Sequence, residues 1–261
     1  MNIGVFRATI AHEEIMKLDD LELSYLLSAG RIVNDLNHFS RLIMAHHNGM
    51  HVSDSTESEA QVVLLYSTLT LLAGKCWEAW LLVQRSSALW NPEKHLIGQT
   101  TIDCLDQLRA QFDIRVLKAV RDRSAFHYDN GELATLELFA FRSKPRNSKV
   151  DFLLGHQTGN NLYIFSAENH IFAILDKFFP NSDRLEQLRN LERSVMKSTR
   201  LLGVFIGKSI SDIMISRIGK HNISLTSVDM EDRPGFGESR LAFIVRLDKS
   251  DAELNGPFHA S

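Results

Sequence analysis

The stretch AQVVLLYSTLTLLAG (residues 60–74) is the longest apolar run in the sequence without a charged side chain, 15 residues closed by Lys75 and then Glu78. A membrane-crossing helix needs about 20 apolar residues, so the run reads as part of a buried helix. Its helical spacing continues through Leu65, Leu69, Leu72, Cys76, Trp80 and Val83. A helix apolar on nearly every side belongs in the middle of other helices. DSTESEA ahead of it supplies capping residues and puts its span at about 57–86.

Working outward, Leu23, Leu26, Leu27, Val33, Leu36, Phe39 and Ile43 recur at spacings of three, four or their sums and mark one apolar helix face. After the loop NPEKHLIGQT, Thr100 or Thr101 caps a third helix whose buried face runs through Leu105, Leu108, Phe112, Val116 and Val120. Asn130-Gly131 ends or interrupts it, and GELATLELFAF makes a short fourth helix. A long last helix covers about 183–218, where Gly203 and Gly207 offer a place for a neighbouring helix to come close. Between these the period changes. VDFLLG and NLYIF flank HQTGN in a pattern suited to a β-hairpin at about 150–167. The tail, 222–261, holds one more strand-like run, RLAFIVRL. The fold class is therefore mainly α: a single domain over 1–261, an up-and-down helical bundle with a core at about 11–142 plus 183–218 and a small β-hairpin addition.

Composition sets further bounds. Hydrophobic residues at 44% and charged residues at 23% are ordinary for a globular chain. MNIGVFRATIAHEE lacks a basic stretch followed by an apolar core, so a cytoplasmic location is expected, with no membrane partner. Cys76 and Cys104 stand singly on apolar helical patterns and read as reduced, buried thiols. The net charge of −3 argues against a general nucleic-acid coat. Residues 115–149, however, hold eight Lys/Arg against four Asp/Glu, a local excess of four positive charges. A basic segment in an otherwise acidic chain can hold a polyanion at one place; a solvated loop is the other reading.

The stretch AVRDRSAFHYDN (119–130) carries the chemistry. The apolar face of the third helix gives way to Arg121, Asp122 and Arg123, then to His127. An arginine, a polar residue, four more residues and a histidine, late on a helix of an all-α bundle, resemble the HEPN superfamily (higher eukaryotes and prokaryotes nucleotide-binding). SAGRIVNDLNHFSRL, LLAGKCWEAWLLV and the motif-bearing third helix match that family's order of helices, and the likeness covers roughly residues 11–142. The resemblance implies a HEPN-like bundle and metal-independent RNA cleavage, in which a ribose 2′-hydroxyl attacks the adjacent phosphorus. Arg121 would stabilise charge on the phosphoryl oxygens, and His127, with an ordinary pKa near ~6.5, would move the proton. It also implies a homodimer, since two motifs usually meet across one, and an endoribonuclease of the toxin-antitoxin or phage-defence kind, with RNA as substrate and an antitoxin or regulatory protein as a further partner. No cofactor is implied. Some members carry a Tyr two residues after the His; here Tyr128 follows His127 directly, so that control by nucleotidylation is not carried over.

Six steps of ~100° put His127 about 120° round the helix from Arg121, so a break or a long side chain has to bring them together. Arg123, four residues before His127, shares its face and is kept as a phosphate contact. Glu78, between Trp77 and Trp80, reads as a carboxylate in apolar surroundings paired with Arg121 or Lys75. Arg31, Asn34, His38 and Arg41 form a polar stripe that either lines the same cleft or is a solvated face. Arg142, Lys144, Arg146 and Lys149 in FRSKPRNSKV make a basic loop suited to an RNA backbone. His46, His47 and His51 lack metal-ligand spacing, so no metal site is expected. The glycine pairs form neither a dinucleotide fingerprint nor a phosphate loop. The competing reading is a catalytically silent HEPN-like helical module that binds RNA, nucleotide or a protein.

Overall fold

The computed structural model describes residues 5–49, 55–122, 132–145 and 164–228. Along them run β1 (Val5–Thr9), α1 (His12–Ile15), α2 (Asp20–Gly49), α3 (Ser55–Arg85), α4 (Gln99–Gln111), α5 (Ile114–Val120), α6 (Glu132–Arg142), α7 (Ile164–Phe178), α8 (Arg184–Ile218) and β2 (Ser224–Val228). The chain is mainly helical. Among the described residues no helix is long and apolar enough to cross a membrane.

As its composition demands, α3 is central: it packs against α2, α5, α7 and α8. Leu69, Leu72, Ala73, Cys76 and Ala79 are buried along it. An aromatic group at one end joins three elements. Trp90 sits edge-on to Tyr25 and Phe205, each 5.1 Å away, and donates its indole N–H to the Val83 carbonyl at 3.0 Å.

The start of α2 is closed by a reciprocal cap. Asp19 Oδ1 accepts the Glu22 N–H at 2.8 Å, and Glu22 Oε2 accepts the Asp19 N–H at 3.1 Å. The other oxygen of Glu22 takes two hydrogen bonds from Arg217 of α8, at 2.8 Å from Nε and 2.6 Å from Nη2. Glu22 is wholly buried, whereas the Arg217 side chain is 41% exposed, so the desolvation cost falls on the carboxylate. The Arg217 pKa is raised chiefly by its hydrogen bonds to Glu22.

Several sequence expectations are corrected. The third helix is two helices: Phe112 and Asp113 leave helical geometry, and α5 restarts with the Asp113 carboxylate accepting the Val116 N–H. Neither Thr100 nor Thr101 caps α4. Gly98 is the N-cap residue, and Asp212 of α8 accepts both the Gly98 N–H, at 2.8 Å, and the Thr101 hydroxyl, at 2.7 Å. Most of the expected hairpin at 150–167 lies outside the described residues, but its end, from Ile164, is the first turn of α7. The apolar residues Ile171, Ile174, Leu175 and Phe178 recur at three and four, so the helical period wins there. The sheet observed is instead β1 paired antiparallel with β2, Val5 facing Val228 and Thr9 facing Ser224. RLAFIVRL and the Asn130-Gly131 stop fall outside the described residues. A Cβ added at Gly203 or Gly207 would meet nothing within 4 Å, so neither marks a close helix approach. Cys104 is only partly buried; Cys76 is fully buried.

Two outcomes follow for stability and reactivity. Arg217→Met leaves the buried Glu22 carboxylate without its counter-ion and should cost about 3–5 kcal/mol in urea unfolding, with Glu22→Gln in the same chain restoring much of the loss. A cost below about 1 kcal/mol would show that this bridge does not hold α2 to α8. Burial pushes the Cys76 thiol up to about 12, against a smaller lowering by its hydrogen bond with Thr199. At pH 8 it is therefore protonated as well as enclosed, and an aromatic disulfide reagent should titrate one thiol in the native protein and two after unfolding.

Candidate functional site

Arg121 stands at the end of α5, where Val116, Leu117 and Val120 are buried and hold the helix against the bundle. The break before α5 is fixed from both sides. Phe112 stacks on Trp80 at 4.9 Å, and Asp113 Oδ2 accepts the Ser194 hydroxyl at 3.0 Å. At Arg121 and Asp122 the helix widens to π geometry, a local distortion that is frequent at functional sites.

The Arg121 guanidinium is held by two carboxylates. Its Nε and Nη2 donate to Glu78 Oε1 at 3.2 and 2.9 Å, and its Nη1 donates to Asp122 Oδ1 at 2.9 Å. Its pKa is raised, first by the hydrogen bond it donates to Asp122 and next by Glu78, with burial acting the other way. Of the two partners weighed for Glu78, Arg121 is the one found; Lys75 pairs instead with Asp35 at 2.7 Å. Glu78 is not enclosed by the tryptophans beside it in sequence. Its side chain is 38% exposed, because steps of ~100° carry Trp80 inward and Glu78 to the margin. Among the described residues, three of the five N–H groups of this guanidinium are engaged and two have no partner.

The structure thus brings Glu78, Arg121 and Asp122 together. His127, Arg123, Arg146 and Lys149 lie outside the described residues. Arg31, Asn34, His38 and Arg41 are all exposed on α2, and among the described residues none is bonded to Arg121. Arg142 and Lys144 are exposed at the end of α6. Lys144 lies 5.8 Å from the Phe141 ring and lines a cleft of about 520 Å³ shared with Tyr66, Asn169, Phe172 and Arg184. Arg184 in turn covers Phe172 at 4.6 Å and is bonded to Asp176 at 2.6 Å.

The histidines have structural partners. His46 Nδ1 is 2.9 Å from Gln61 Oε1 and His47 Nε2 is 2.6 Å from Glu192 Oε1; His51 is outside the described residues. No cluster of metal-ligating side chains occurs among the described residues. A pair that the sequence reading did not single out joins α6 to α7: His170 Nδ1 bonds Glu137 Oε1, while Asn169 donates to the Glu137 carbonyl at 2.7 Å. Their separation by 33 residues left no local signal for it.

Comparisons with protein-family models, curated proteins and solved structures each returned no match to this chain.

Because Arg121 and Glu78 are both about a third exposed, their pair should contribute little to stability. A double-mutant cycle with Arg121→Ala and Glu78→Ala should give a coupling of about 0.2–1 kcal/mol in denaturant unfolding. A coupling above about 2 kcal/mol would make the pair a structural brace and not a positioned, exchangeable guanidinium.

Proposed function

We propose that this chain is a HEPN-like, metal-independent endoribonuclease with Arg121 and His127 as its catalytic residues. The observation that carries the reading is Arg121 itself: a guanidinium fixed at a distorted helix end, partly exposed, with three of its five N–H groups engaged among the described residues. In the proposed reaction the ribose 2′-oxygen forms a bond to phosphorus while the bond to the 5′-oxygen breaks, leaving a cyclic phosphate and a 5′-hydroxyl. Arg121 donates to the oxygens on which negative charge builds, and its geometry is preset by Glu78, so little reorganisation is needed. His127 takes the 2′-hydroxyl proton or gives one to the departing oxygen. Arg123 and the basic residues Arg142, Lys144, Arg146 and Lys149 are assigned to phosphate contact. The family pattern makes the active form a homodimer, near twice 29.6 kDa by light scattering.

One observation favours a second reading. Two carboxylates face one guanidinium, so the Glu78–Arg121–Asp122 group carries a net negative charge. That suits a silent HEPN-like module in which Arg121 joins α5 to α3 and the function is binding RNA, nucleotide or a protein.

Purified protein incubated with total RNA in chelator separates the two. Wild type should cleave, and His127→Ala or Arg121→Ala should each lower the rate on the order of 10²-fold or more, with unchanged helical content by circular dichroism. Cleavage that persists in both variants, or that is absent from wild type, rules out the assigned chemistry.

A further inference from the structure

The longest helix carries a feature that the Arg121 site does not use. Arg189, Arg193, Lys197, Arg200 and Lys208 all lie on α8 and are all exposed. At ~100° per residue they fall within about 100° of the helix circumference, one cation for nearly every turn over about 28 Å. Across residues 189–208 the single carboxylate is Glu192, which is turned to α2 and bonded to His47. Leu191, Val195, Leu202, Phe205 and Ile206 take the opposite, buried face. None of Arg189, Lys197, Arg200 and Lys208 has an acidic partner among the described residues, and Arg193 is engaged only by the Asn190 amide oxygen, at 2.9 Å.

The stripe borders a groove. Lys197 and Arg200 line a hollow of about 300 Å³ between α8 and α4, facing the carboxamides of Gln107 and Gln111. Exposed carboxylates of α4 are already engaged, Asp103 by the Gln99 amide and Asp106 by Arg109. Beyond Gln111 in the chain, α5 presents Arg115 and Lys118, both exposed, at three- and four-residue spacing before Arg121 and Asp122. Ser194 of α8, bonded to Asp113, fixes α5's first turn beside this part of α8.

We infer that the exposed face of α8, with the groove it shares with α4, is a binding track for the sugar-phosphate backbone of single-stranded RNA, leading by way of Arg115 and Lys118 to Arg121. The choice of RNA over other polyanions rests on the ribonuclease reading; the track itself does not. A chain with a net charge of −3 has no general attraction for nucleic acid, so a row of cations without carboxylate partners among the described residues is where a polyanion gains most. The carboxamides opposite can bond ribose hydroxyls or phosphate, and the groove offers no aromatic platform, so contact is with backbone and carries no sequence preference.

The test uses the full chain carrying His127→Ala, so that RNA is bound without being consumed. A variant with Arg189→Gln, Arg193→Gln, Lys197→Gln and Arg200→Gln keeps good helix formers on α8, and a control with Arg85→Gln, Lys94→Gln and Lys220→Gln removes exposed cations elsewhere. Affinity for a fluorescent 20-nucleotide oligouridylate is measured across salt concentrations. The α8 variant should bind at least tenfold more weakly at 0.1 M salt, with a slope shallower by about 0.7 per lost contact, and the control should bind as the parent does. Equal affinity and slope in parent and α8 variant overturns the track, whether or not wild type cleaves RNA. Binding to polyglutamate or to phosphatidylserine vesicles, with none to RNA, overturns it as well. Weakened binding by the α8 variant alongside a wild type that leaves RNA uncut keeps the track and removes the ribonuclease reading.

Discussion

Polar side chains along α8, some buried and others at its margin, have to find partners, and that constraint orders the bundle. Arg217 binds Glu22 and Ser209 meets the Tyr25 hydroxyl at 2.7 Å, both from α2. Thr199 meets the Cys76 thiol of α3, Asp212 caps α4, and Ser194 holds Asp113 ahead of α5. Gln187, almost wholly buried, bonds Asp176 of α7 and the Phe179 carbonyl. Apolar contact alone tolerates sliding by a turn; a polar group left without its partner costs about 1–3 kcal/mol, so each of these bonds fixes register as well as proximity. Ser198 is the exception among the described residues, a buried hydroxyl with no hydrogen-bond partner.

The same constraint positions Arg121. Were the third helix continuous, its direction would be set by α4 alone. Asp113 ends that dependence by capping α5 and accepting Ser194, and the Trp80–Phe112 stack fills the corner. From there, two turns of helix with three buried residues bring Arg121 to Glu78 on the central helix. The pair is weak as a stabiliser because water reaches it.

What could be read from the sequence depended on the range of the interaction. The long helices were legible because Leu23 to Ile43 and Leu65 to Val83 repeat at helical period over many turns. The Glu78–Arg121 pair was legible as one of two partnerships, since a carboxylate among apolar neighbours calls for a cation. Its exposure was not, because neighbours in sequence point apart on a helix. The cap of α4 was misread for the same reason of range: threonines at a helix start suggest a local cap, but the acceptor is Asp212, 111 residues from Thr101. β1 and β2 lie at opposite ends of the described chain, and nothing local in VFRAT marks the partner that pairs with it. The α8 cations were not singled out in the sequence, since only the placement of carboxylates from other elements distinguishes a free row from a neutralised one.

That distinction bears on where affinity and chemistry reside in the proposed enzyme. Taken by itself the Glu78–Arg121–Asp122 group is net negative, so in the proposed enzyme it draws an anionic strand weakly and acts on a phosphate delivered to it. At physiological ionic strength charges act over about 8 Å, so cations remote from the strand do not help either. Attraction must then come from a surface in direct contact with the backbone, separate from the group that stabilises the transition state. Such a separation has a chemical advantage. A guanidinium already neutralised by Glu78 binds an ordinary phosphate diester poorly and gains most when extra charge develops on its oxygens. Tight ground-state binding is left to residues that take no part in bond breaking, and the transition state is favoured over the substrate at the one place where the difference sets the rate.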